Sequence, residues 1–113
     1  MSGQNPDLLA LSRSLNATAD ALEARKRASE DPGERSQLNA QLRALDLRVQ
    51  SVNGLLFRQR SSAIADAVAK VEDAQKDLGR AIAEAEKINQ VINSVTGVLQ
   101  LVDRVIAVAT PLV

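Results

Sequence analysis

Cysteine, histidine, tryptophan and tyrosine are absent from the chain, and Phe57 is its only aromatic residue. Without cysteine there are no disulfides, thiolate metal sites or thiol nucleophiles, and without histidine the commonest general base and transition-metal ligand is missing. Most catalytic chemistries lose a residue that they need. We therefore expect a protein that is not an enzyme, with no catalytic residues, no metal, no cofactor and no small-molecule substrate.

Turn-forming residues are also scarce, with five glycines and three prolines in 113 residues. An all-β sandwich would need more turn signals and more aromatic residues than this. The core must instead be built from Leu, Ile, Val and Ala, which pack well between closely approaching helices. The composition predicts one all-α domain over residues 1–113, organised as an antiparallel helical bundle or coiled coil.

The charges balance to a formal net charge of zero. Neither half of the chain carries the basic excess of a polyanion-binding protein, so no nucleic-acid partner is expected. The N-terminus has no basic region followed by an apolar run, and its glycine is at position 3, so it fits neither a cleaved signal peptide nor a myristoylation motif. This favours a cytoplasmic protein, or one exported without a cleaved signal.

The first two helices have clear sequence boundaries. Asn5 is a suitable N-cap ahead of a proline, and leucines follow in a 3,4 pattern, which predicts a helix over 6–29. Asp31 caps a second helix that also begins with proline, predicted over 32–58. Because the connection is so short, the two helices should form an antiparallel hairpin spanning 6–58.

The end of the second helix is open to two interpretations. Asn53-Gly54 is typical of a helix C-terminus. The apolar pattern continues through Leu56 and Phe57, however, and its register changes only at the next run of apolar residues. We therefore place the break between Arg58 and Ser62.

The last segment, 62–110, contains no proline and only two glycines, and its apolar residues step by three and four. This predicts one long third helix, with a break near 87–97 as the alternative. An unbroken helix would run roughly 70 Å, about twice the length of either preceding helix. Its C-terminal half would then lack a partner within the chain.

That half, 88–113, carries the predicted interaction surface. Its apolar arc covers roughly 200° of the helix, which is wide enough to require burial from two directions, inside a bundle or between subunits. We expect self-association, giving a homo-oligomer, or coiled-coil pairing with a helical protein partner. The predicted surface consists of Ile88, Val91, Ile92, Val95, Val98, Leu99, Val102, Val105 and Ile106.

A membrane-active or membrane-surface protein, such as a pore-forming or translocator-like protein, is the alternative function, using the same segment. Residues 88–102 carry no charge, but a membrane span needs about twenty apolar residues, and polar side chains such as Asn93 and Gln100 interrupt this stretch. A helix lying in the membrane surface usually carries basic and aromatic anchors. Only Arg104 is present here, so assembly is the favoured interpretation.

One polar layer is predicted inside the aliphatic bundle. Thr18 lies twelve residues after Pro6, and Gln75 lies thirteen residues after Ser62, so stacking of the segments brings both to one level. A single polar layer commonly selects helix register and partner number at some loss of stability. We expect this role for the pair, with Leu45 opposite, rather than a binding pocket.

In size, lack of cysteine and helical-hairpin character, the chain resembles small secreted helical bacterial proteins of the Trp-x-Gly hairpin class and of secretion filaments. The resemblance is architectural, because Val52-Asn53-Gly54 stands where the Trp-x-Gly turn would be. It implies a protein that acts by assembly.

Overall fold

The computed structural model describes residues 3–84 and 87–110, and these ranges contain four helices and no strand. The helices are α1 (Pro6–Ala28), α2 (Pro32–Asn53), α3 (Ser62–Glu84) and α4 (Ile88–Ala109). They pack against one another as a bundle. The all-α prediction is confirmed, and the helix starts at 6, 32 and 62 agree with the sequence pattern.

Two helical hairpins, α1–α2 and α3–α4, pack side by side. α1 contacts α2 and α3, and α4 contacts the same two helices, so α1 lies diagonally opposite α4. Hydrogen bonds join Thr18 to Gln75 and Arg25 to Ile82, which shows that α1 and α3 run in the same direction. The connection 54–61 therefore crosses the end of the bundle from one hairpin to the other.

The beginnings of the first three helices carry side-chain caps. Asn5 Oδ1 accepts hydrogen bonds from the backbone N–H groups of Asp7 and Leu8, and Asp31 Oδ1 accepts one from Gly33. Ser61 Oγ accepts one from the N–H of Ile64. Each bond satisfies a donor that has no partner within its helix.

The structure corrects the predicted end of the second helix, because α2 ends at Asn53 and not near residue 58. Beyond this point the chain continues in tight turns, with backbone hydrogen bonds from Leu55 to Val52 and from Arg58 to Leu55. These turns bury both Leu55 and Leu56. The apolar pattern persists past the helix end because buried loop residues continue it.

The structure also corrects the long third helix, since residues 62–110 form α3 and α4. α3 ends at Glu84 and α4 begins at Ile88, so the break falls at the start of the window 87–97. A Val or Leu side chain gains about 1.5–3 kcal/mol on full burial, whereas each backbone hydrogen bond contributes about 1 kcal/mol. Burying the face of α4 therefore outweighs a few lost helical bonds.

The core is one aliphatic cluster to which all four helices and the loop residues Leu55 and Leu56 contribute. It lies along an elongated bundle of 49 × 25 × 21 Å. Each helix buries a stripe at intervals of three and four residues and exposes its polar side. α4 buries more residues than any other helix, namely Val91, Val95, Val98, Leu99, Val102, Val105 and Ala109.

Candidate interaction site: the apolar face of α4

The predicted interaction surface lies on the inner side of α4. Its six buried members are Val91, Val95, Val98, Leu99, Val102 and Val105, and its three partly buried members are Ile88, Ile92 and Ile106. All nine belong to the bundle core or pack against it. The site is thus a face that the chain covers with its own helices.

Two helices cover this face. On the α2 side, the guanidinium of Arg48 donates two hydrogen bonds to the carboxylate of Asp103, at 3.0 and 3.1 Å. Helical spacing places Leu99 and Ile106 on the same side of α4 as Asp103, next to α2. The opposite edge of the face meets α3. The arc is wide because α2 and α3 bury it from two directions.

The outer side of α4 is polar. Asn93, Thr96, Gln100, Asp103 and Arg104 are all exposed to solvent. Among the described residues, α4 is the one helix that is long and apolar enough to cross a membrane. A third of the most apolar stretch of α4 is buried in the bundle. This division between sides is the pattern of an amphipathic helix in a bundle.

The junction between α3 and α4 differs from the other helix boundaries. Lys87 is the N-cap of α4, and its side chain makes no capping hydrogen bond. At the end of α3, the Ile82 carbonyl accepts a hydrogen bond of 2.8 Å from Arg25 Nη1 of α1. Arg25 also pairs with Glu34 at 3.9 Å. A side chain of the neighbouring helix α1 therefore binds the C-terminal end of α3.

A hydrogen bond joins the side chains of Thr18 and Gln75, which were expected to lie at the same height along the bundle axis. Gln75 Nε2 donates to Thr18 Oγ1, and Ser14 Oγ donates to Gln75 Oε1, each at 3.0 Å. These side chains are half-buried and line an open cleft at the outer edge of the α1–α3 contact. Leu45 lies in the buried core on α2, which is diagonal to α3. The role of the pair in selecting register stays a prediction.

The sequence pattern identified Asn5 as a cap and missed its second role. Its side-chain amide donates to the carbonyls of Arg58 and Gln59, and its backbone N–H donates to the carbonyl of Leu56. Asn5 thereby ties the start of α1 to the connection between the hairpins. No local pattern predicts this, because the partners lie more than fifty positions away.

The surface offers shallow clefts. One of about 480 Å³ is lined by small and charged side chains of α1, α2 and α3, namely Ala21, Ala24, Arg25, Ala28, Ser29, Glu34 and Ile82. Within residues 3–84 and 87–110, no group of three acidic side chains is placed to hold a metal ion. In the part of the chain that the structure describes, three large apolar side chains are exposed, each on a different segment: Leu47, Phe57 and Val108.

No protein-family model, characterised protein or solved structure matches the chain.

Proposed function

We propose that the chain is a non-enzymatic helical interaction protein that acts through the apolar face of α4. The groove between α2 and α3, which holds this face in the folded chain, also accepts an equivalent face from another chain. The partner is a helical protein segment, which includes a second copy of the same protein. Neither nucleic acid nor a small-molecule substrate is part of this function.

The observation that carries the proposal is the chemical character of the α4 contact. The buried residues of α4 are all aliphatic, and within the described residues the Arg48–Asp103 pair is the one side-chain hydrogen-bonded link between α4 and another helix. Apolar burial is non-directional, so it does not distinguish the chain's own helix from a similar one. By contrast, α3 is tied to α1 by the directional Gln75 and Arg25 hydrogen bonds.

A fluorescent peptide of residues 88–110 tests this function against the full-length protein. We expect saturable binding, measured by fluorescence anisotropy, as the peptide replaces the chain's own α4. The same peptide with Val98→Glu serves as the control, because Val98 is buried and a charge there prevents burial of the face. Equal binding of both peptides, or binding of neither, would contradict the proposal.

Membrane association is the second candidate function, and the length and apolarity of α4 favour it. For this function, the bundle must open so that α4 meets lipid. Flotation of the full chain with liposomes would support it, particularly if the 88–110 peptide also floated and the same peptide with Val98→Glu did not. A chain that stays with the soluble fraction while binding the helical peptide supports protein pairing alone.

A further inference from the structure

The residues around the α3–α4 junction have the composition of a continuous helix. The stretch 81–88 reads Ala-Ile-Ala-Glu-Ala-Glu-Lys-Ile, without Gly, Pro, Asn, Asp or Ser. Alanine, glutamate and lysine are among the strongest helix formers. Only three positions separate Glu84 from Ile88. The local sequence therefore favours continuation of α3 into α4.

Contacts from elsewhere in the bundle impose the break. The other three helices begin at side-chain caps, whereas α4 begins at Lys87 without one. The carbonyl of Ile82 in the last turn of α3 is bound by Arg25 of α1. In a continuous helix, this carbonyl would accept a bond from the backbone N–H four residues later. Arg25 thus takes the place of helical continuation.

We propose that two copies of this chain form a dimer by exchanging α4, with residues 62–110 of each copy forming one long helix. This inference rests on the proposed function and identifies the partner as a second copy. The α4 of one copy fills the groove between α2 and α3 of the other, and Arg48 pairs with Asp103 across the two chains. Short connections are known to favour this kind of exchange.

The exchange retains the packing of α4 and changes only the junction. Each groove receives the same aliphatic face, so the core contacts are conserved between monomer and dimer. In the dimer, continuous helical hydrogen bonds across the junction take the place of the uncapped start that α4 has in the monomer. Protein concentration and the stability of the junction therefore set the balance between the two states.

Substitutions of Lys87 test the junction. Asp at this N-cap position gives α4 the side-chain cap that it lacks in the monomer. This cap should favour the closed junction by a factor of about five in the equilibrium constant. Since a dimer opens two junctions, we expect Lys87→Asp to lower the association constant about thirtyfold, measured by analytical ultracentrifugation. Lys87→Ala removes the same cation and supplies no cap. This control should dimerise at least as strongly as the unmodified chain.

A second variant acts on the other side of the junction. Arg25→Gln removes the cation that holds the Ile82 carbonyl at the end of α3. We expect it to raise the dimer fraction at equal protein concentration. A lower dimer fraction in a variant that remains fully helical would overturn the assignment of Arg25 to the closed state.

The dimer has a distinctive internal distance. Ser62 and Thr110 lie at one end of the monomeric bundle, but a continuous helix separates them by about 72 Å. This exceeds the 49 Å long axis of the bundle. The chain has no cysteine, so Ser62→Cys/Thr110→Cys carries two spin labels without interference. Pulsed electron paramagnetic resonance, with labelled chains diluted into unlabelled protein, should show the long distance in the dimer fraction.

Three results would overturn the exchange. They are a chain that is monomeric at every concentration, a dimer in which the Ser62–Thr110 distance stays short, and equal association constants for Lys87→Asp and Lys87→Ala. A monomer that binds the 88–110 peptide would overturn the exchange and leave the proposed function standing. A monomer that binds neither itself nor the peptide would overturn both.

Discussion

Asn5 uses a single amide to join two distant parts of the chain. It is 2% exposed, and its side chain makes four hydrogen bonds, two within the start of α1 and two to the connection 54–61. An amide can accept and donate simultaneously, which an aspartate cap cannot do. Together with the burial of Leu55 and Leu56, these bonds hold the connection between the two hairpins in place.

Replacing the two caps by alanine distinguishes these roles. Asp31→Ala removes an exposed cap and should cost about 1 kcal/mol of unfolding free energy. Asn5→Ala removes a cap and two bonds to backbone carbonyls, and should cost about 3 kcal/mol. Chemical denaturation of both variants measures the difference. Equal losses would mean that the bonds to Arg58 and Gln59 contribute nothing to stability.

At the scale of helices, local signals determine the beginnings better than the ends. Asn5 and Asp31 act where the chain enters a helix, and their effect depends on residues two or three positions away, so the starts could be predicted. The end of α2 depends on burial of Leu55 and Leu56, and the end of α3 depends on Arg25 in another helix. These contacts are long-range, which is why the pattern misplaced both ends.

The contact between α1 and α3 carries the prediction that concerns register. We expect Thr18→Val/Gln75→Leu to raise the melting temperature while broadening the distribution of oligomers, because apolar contact replaces a directional bond. In the double variant the Ser14 hydroxyl loses Gln75 as an acceptor but still has the Leu11 carbonyl of its own helix within reach, so it is not left unsatisfied. Calorimetry and light scattering measure the two effects.

Thr96→Val provides the control for this pair. Thr96 is exposed on α4, and its hydroxyl bonds to the Ile92 carbonyl of the same helix. Its substitution should leave the oligomer distribution unchanged. A lower melting temperature with unchanged assembly in the double variant would count against a register-selecting role.

At the scale of the whole molecule, α4 contributes one side of the bundle core. A charge on the inner side of α4 is therefore expected to affect the whole bundle and not α4 alone. If 88–110 were a free assembly surface, Val95→Glu would leave residues 6–86 folded and helical. In the bundle, Val95 is buried, and an unpaired buried charge is among the few changes that exceed about 4 kcal/mol. Domains of this size have total stabilities of about 5–15 kcal/mol.

We therefore expect Val95→Glu to reduce the helical circular dichroism signal of the entire chain, with α1, α2 and α3 losing structure along with α4. Asn93→Glu, on the exposed side of the same helix, should change the unfolding free energy by less than about 0.5 kcal/mol. A Val95→Glu variant that retains three stable helices would show that the α1–α2 hairpin and α3 fold independently of α4.

The sequence by itself determined the class of the fold, the hairpin of α1 and α2, and the amphipathic face of α4. Each depends on composition or on spacing within one helix, where neighbours three and four residues apart share a side. Tertiary structure decided where α2 stops, that the stretch 62–110 folds back, and that α2 and α3 cover the apolar face. Around residue 85 local propensity favours a continuous helix, and burial of the α4 side chains overrides it because the hydrophobic gain is larger.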